Sequence, residues 1–222
     1  MTVEAAAGRL PMSVYLAEIA GSTMRLRRLF GKITDAAVAL YRSTAMETLD
    51  AGLISGKIVR RLTDKKYVVT EDVLWMIEQS AAAAGKGIGR RCYRHGDFSP
   101  WNMRVDRQGN FSVIDWEYAS VDGLPLVDLL NFFFEAASIV RAVQAGGGSV
   151  TRRLPRAGVT DFHVAFSSGP CQSMIDDCLR QYCEQCEIGS EGKKLLVYAF
   201  AAQHAFHDKA LLDELFHSGK GR

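Results

Sequence analysis

Hydrophobic and polar positions divide the chain into one short alternating segment near the start, several stretches of helical spacing, and a central hairpin pattern. Residues 13–20, SVYLAEIA, read as a short strand with Val14, Leu16 and Ile19 turned inward, broken by Gly21. A helix is expected from a cap at Thr34 or Asp35, through Val38, Tyr41 and Leu49, to a stop near Gly52. Another follows Thr70. Its first turn carries Glu71 and Asp72, where the helix dipole favours acids, and it runs through Val73, Leu74 and Ile77 to Gly85. The glycine-rich GKGIG, Gly85 to Gly89, follows that helix and precedes a strand-like RRCYRH. A phosphate loop needs the reverse order and a GK[ST] ending, so this segment is a helix cap and connector. Downstream, PLVDLLNFFFEAASIVRAVQA predicts a helix from Pro125 that is apolar on nearly every face and therefore buried, stopped by Gly146 to Gly148. GGGSVTRRLPRAG reads as a loop, and two further helices close at Gly189 and Gly219.

Between these helices lies RHGDFSPWNMRVDRQGNFSVIDWE, Arg94 to Glu117. Met103 and Val105 alternate with polar neighbours, as do Phe111 and Val113, and Gly109 suits the tight turn of a hairpin. With the turn centred between Gln108 and Gly109, Asn102 falls opposite Asp115, and opposed Cβ atoms lie about 4.5–5.5 Å apart. Asp97, in a loop with Gly96 and Pro100, reaches the same open end. Two hard oxygen ligands, Asn102 and Asp115, suit Mg²⁺ completed by phosphate oxygens. A third oxygen, on Asp97, is then free to orient a hydroxyl and take its proton.

HGDFSPWN followed by FSVIDWE resembles the catalytic loop and metal-binding strand end of the aminoglycoside phosphotransferase / choline kinase group, small-molecule kinases with the protein-kinase-like fold. The resemblance implies a helix-rich α+β chain, the C-terminal lobe of that fold, with a central catalytic β-hairpin. It implies Asp97 as catalytic base, Asn102 and Asp115 as magnesium ligands, ATP as co-substrate, and a small-molecule hydroxyl acceptor of aminoglycoside, choline or sugar type. His95 is expected to support the loop. Asp128 is either a buried brace for that loop or a first-turn helix carboxylate. Glu117 is a further candidate. SVYLAEIAGSTM is most similar to the hinge strand, which places Tyr15, Leu16, Ala17 and Glu18 beside the adenine. The expected division is then a remnant strand and hinge-like segment over 1–22, and a helical lobe over 23–222 with its catalytic loop and hairpin at 93–117. The upper lobe, with its phosphate-covering loop and strand lysine, is expected to be largely missing. Lys32, Lys57, Lys65 and Lys66 all fall in predicted helix or loop. An incomplete lobe or pseudokinase-like binding protein is the alternative reading.

Composition narrows the classes. The 222 residues suffice for a substantial core, and a net charge of +2 gives no reason to expect nucleic acid. Charge is uneven, with 15 Lys and Arg against 9 Asp and Glu in residues 1–94 and 12 against 16 thereafter. The acidic second part is compatible with a metal or a cationic substrate. No apolar run has signal-peptide or membrane-span character, and five cysteines, an odd number, suit reduced thiols in the cytoplasm. Cys171, Cys178, Cys183 and Cys186 read as free helix thiols rather than a zinc site.

Overall fold

A computed structural model describes residues 10–106, 108–146 and 169–204. Among these, the chain is a helix-rich α+β assembly. Strand β1 (Leu10–Pro11) leads into α1 (Met12–Ile19), α2 (Thr23–Thr44), α3 (Ala51–Asp64) and α4 (Glu71–Ala84). Then come β2 (Cys92–Arg94), a single 3-10 turn (Pro100–Asn102), β3 (Met103–Val105), β4 (Phe111–Val113) and β5 (Ser120–Gly123). Helices α5 (Val127–Gln144), α6 (Gln172–Gln185) and α7 (Ser190–His204) complete the described part.

Local chemistry accounts for several boundaries. Ser22, Asp50 and Thr70 each accept a backbone N–H with their side chains and so cap α2, α3 and α4. The helix after Thr70 begins and ends as expected, with Gly85 at its C-cap in a positive-φ conformation. All but Gly146 of GGGSVTRRLPRAG, and the chain beyond His204 with the stop expected at Gly219, lie outside the described residues.

Three expectations are corrected. Residues 13–20 belong to helix α1, not to a strand. Met12, Leu16 and Ile19 recur at i, i+4 and i+7 and are fully buried, whereas Val14 is 37% exposed. Tyr15, Leu16, Ala17 and Glu18 therefore present helical backbone, not an extended hinge edge, and among the described residues the strand before them is Leu10–Pro11. The helix expected from Thr34 starts at Thr23, because Leu26, Leu29, Phe30 and Ile33 already hold the helical spacing. It ends at Thr44, so Leu49 lies beyond it and Gly52 sits in the first turn of α3.

The core forms where α2 and α5 meet. Phe30 lies 5.1 Å from Phe133 and 6.1 Å from Phe132, ring centre to ring centre, and all three are fully buried. Burying such a ring contributes roughly 1.5–3 kcal/mol. Helices α3 and α4 pack together and both rest on α7, while α6 lies along α2. Strands β1, β3 and β4 form an antiparallel sheet in that order, and β2 pairs with β5. Among the described residues no helix is long and apolar enough to cross a membrane.

Candidate functional site

The hairpin closes around the side chain of Asp106. One of its oxygens accepts the backbone N–H groups of Gln108 and Asn110, at 2.9 and 2.8 Å. Gly109 follows at φ 76°, and Lys32 of α2 donates to the Gly109 carbonyl at 3.1 Å. The turn is thus centred on residue 108. Met103 pairs with Val113 and Val105 with Phe111, and the backbone N–H of Ile114 reaches the Asn102 carbonyl at 2.9 Å. The expected register is off by one residue: Asn102 faces Ile114, and Asp115 is one step further on. There the backbone turns left-handed, at φ 63°, which takes Asp115 out of the strand's alternation. Its side chain is exposed and has no hydrogen bond or ion pair among the described residues.

Asp97 and Asn102 are joined directly. The Asn102 amide nitrogen donates to the Asp97 carboxylate at 2.9 Å and to the Asp97 carbonyl at 3.1 Å. Both amide hydrogens are then committed, and the amide oxygen is left as a free hard donor atom. Only one Asp97 oxygen, Oδ2, is engaged by Asn102. A free amide oxygen, an unpartnered carboxylate and a half-engaged carboxylate are the donor types Mg²⁺ and a hydroxyl would use. Among the described residues no group of three or more His, Cys, Asp or Glu side chains is arranged to hold a metal ion.

His95 ties the loop to the hairpin. It is fully buried; Nδ1 accepts the backbone N–H of Asp97 at 3.3 Å, so the proton belongs on Nε2, which faces the Ile114 carbonyl at 2.9 Å. The Trp116 ring packs on it at 4.5 Å, with its indole N–H returning to the Val113 carbonyl. Gly96 has φ 87°, which suits glycine. Glu117 is exposed and accepts a hydrogen bond from Tyr118, whose phenol that bond and the nearby carboxylates push above its ordinary pKa.

Under the loop runs α5, and it meets the loop with polar residues at i, i+3 and i+7. Asp128 accepts the backbone N–H groups of His95 and Gly96, so the brace and the first-turn carboxylate are the same residue. Asn131, buried, donates to the Phe98 carbonyl at 3.4 Å. Glu135 accepts the Trp101 indole N–H at 3.4 Å. Burial pushes the Glu135 carboxyl above its ordinary range, the Trp101 hydrogen bond pulls it back, and the negative charge of Asp97 raises it further. Asn131 and Glu135 were not among the expected site residues. Their signal was nonetheless in the sequence: three polar residues at helical spacing, in DLLNFFFE, on an otherwise apolar helix. The cysteines stand apart from this chemistry as buried free thiols. Burial pushes Cys92 and Cys186 up to about 12, and Cys171 and Cys183 to about 11.

The model of the phosphotransferase enzyme family matches residues 33–157, a stretch that contains the loop, the hairpin and α5. No curated protein and no solved structure matches the chain.

Proposed function

The chain belongs to the phosphotransferase enzyme family, and from that premise we propose that it is a small-molecule kinase moving the γ-phosphate of ATP to an alcohol group. In this reading the described α+β assembly is the C-terminal lobe of a protein-kinase-like fold, and β3–β4 is its catalytic hairpin. The observation that carries it is the Asp97–Asn102 hydrogen bond at 2.9 Å, formed where the hairpin opens toward Asp115.

Asp97 holds Asn102 with Oδ2 and keeps Oδ1 for the acceptor hydroxyl. As that oxygen attacks phosphorus, its proton passes to Asp97, and ADP departs with the electrons of the broken P–O bond. Asn102 Oδ1 and the Asp115 carboxylate would hold Mg²⁺, which when bound neutralises phosphate charge. His95 and Asp128 keep Asp97 in place, because a base misplaced by about 1 Å loses much of its effect. Glu135, half-buried two turns along α5 and held to the loop through Trp101, would in this reading supply a carboxylate for an ammonium on the acceptor. This favours amine-bearing acceptors of aminoglycoside or choline type over neutral sugars.

The test supplies purified protein with ATP, Mg²⁺ and a panel of aminoglycosides, amino alcohols and sugars. ADP release and acceptor mass are followed. Asp97→Ala should lower turnover by about 10²–10⁴-fold with the fold intact. Asp115→Ala should weaken Mg²⁺-dependent nucleotide binding. Nucleotide binding indifferent to both Mg²⁺ and Asp115 would sink the metal assignment. A second reading, a lobe that binds nucleotide without transferring phosphate, is favoured by one observation. Among the described strands none carries a lysine, and Lys32 is bound to the hairpin turn. Mg²⁺-dependent ATP binding with no acceptor phosphorylated would support it.

A further inference from the structure

Between α2, β2, β4 and the start of α5 lies a cleft of about 190 Å³ that the phosphotransfer chemistry does not use. Ala37 and Leu40 form one wall, Phe111 and Val113 a second, and Leu126 part of a third. Trp116, the most exposed lining residue, stands at the mouth. Most of the polar side chains that line it have partners already, Arg94 among them, which donates to the Gln203 amide oxygen at 3.3 Å. Tyr41 accepts the Arg90 N–H at 2.9 Å, Tyr182 accepts the Leu126 N–H at 3.3 Å, and Asp128 is taken up by the catalytic loop. A water inside needs two to four polar partners, and few are left.

Size then decides what fits. Pockets for drug-sized ligands run to roughly 300–1,000 Å³. An apolar cavity of about 150 Å³ stays dry and accepts one benzene ring. This cleft is too small for a nucleotide or an aminoglycoside, or for a packed helix, and it matches a single ring.

We propose that the cleft binds a small uncharged aromatic or branched hydrocarbon group, and that its occupancy is felt by the catalytic loop. The coupling follows from shared walls. Trp116 packs on His95 at 4.5 Å, Phe98 meets the same imidazole at 6.2 Å, and Asp128 holds the His95 and Gly96 backbone. All three side chains line the cleft. A ring seated there presses on the residues that fix Asp97 without touching Asp97 itself.

Fluorobenzene is the probe, titrated into the full chain and followed by ¹⁹F NMR, with ¹⁵N-labelled protein reporting the Gly96 and Asp97 amides. Saturable binding is expected, with shifts at both amides. Ala37→Leu and, separately, Leu40→Trp fill the cleft from α2 and should weaken binding at least tenfold. Circular dichroism selects whichever variant is folded. Three outcomes overturn the proposal: no saturable binding, binding undiminished in a folded filled variant, or saturation that leaves Gly96 and Asp97 unmoved. Self-association through these residues without fluorobenzene binding would assign the cleft to a second copy and also overturn it. No nucleotide enters the experiment, so its result is independent of kinase activity.

Discussion

Asp128 holds the backbone of His95 from a position 33 residues further along the chain: its Oδ2 accepts the His95 N–H at 2.5 Å, and Oδ1 accepts that of Gly96 at 3.2 Å. A buried carboxylate is costly by itself, and burial pushes its pKa above the ordinary range. The two N–H bonds oppose that shift and make the charge tolerable. Asp128→Ala strands two buried donors at about 1–3 kcal/mol each. Urea unfolding should therefore show a loss of about 2–6 kcal/mol, with turnover falling alongside. A loss under about 0.5 kcal/mol, the range of a plain surface change, would remove the brace from the argument.

Two glycines should respond in opposite directions to the same change. A Cβ on Gly96 would overlap the Tyr118 carbonyl oxygen, and its φ of 87° is strained for any other residue. Gly96→Ala should cost about 1–3 kcal/mol or more and weaken Mg²⁺-dependent nucleotide binding. Gly56, inside α3, has nothing within 4 Å of such a Cβ. Gly56→Ala should stabilise by about 0.5–1 kcal/mol through helix propensity, without touching nucleotide affinity. Thermal melts of the two variants separate the effects.

Glu135 supplies a pH test whose sign follows from its surroundings. Burial first, and then the Asp97 charge, raise its pKa above the ordinary 4.5. The folded state thus holds a proton that the unfolded state has released. This contribution to stability is complete below the unfolded value and is lost as pH rises through the folded one. Glu135→Gln removes the dependence, so the variant should gain on the wild type as pH rises above the ordinary carboxylate range in paired urea melts. A difference that stays flat with pH contradicts the assignment. With amine-bearing acceptors, under the proposed role of Glu135, the same variant should raise KM more than it lowers kcat at pH values where the carboxyl is ionised.

One contact was more legible in the chain than the framework around it. Asp97 and Asn102 meet because a short loop converts their five-residue spacing into proximity. The register slipped by one because Asp106 captures two backbone N–H groups and centres the turn on residue 108, a local bond that alternation does not encode. Residues 13–20 misled because a segment of eight residues satisfies either period over so few turns. Met12 was the missing datum, since with Leu16 and Ile19 it completes the helical set. Helix α3 carries its own signal in Ile54, Ile58 and Leu62 at strict four-residue spacing. Glu135 was hidden by the apolar character of its helix, which draws attention to Phe132–Phe134 and away from the polar edge.

That edge sets out an order of assembly for the working parts. Asp128, Asn131 and Glu135 rise about 1.5 Å per residue, so the first and last stand about 10 Å apart along one face of α5. Each meets a successive piece of the loop: His95 and Gly96, then Phe98, then Trp101. One rigid rod therefore fixes the spacing between the two ends of the loop, much as a jig holds two tools at a set distance. A substitution at the far end of the rod therefore leaves the near end, and the loop backbone it holds, where it was.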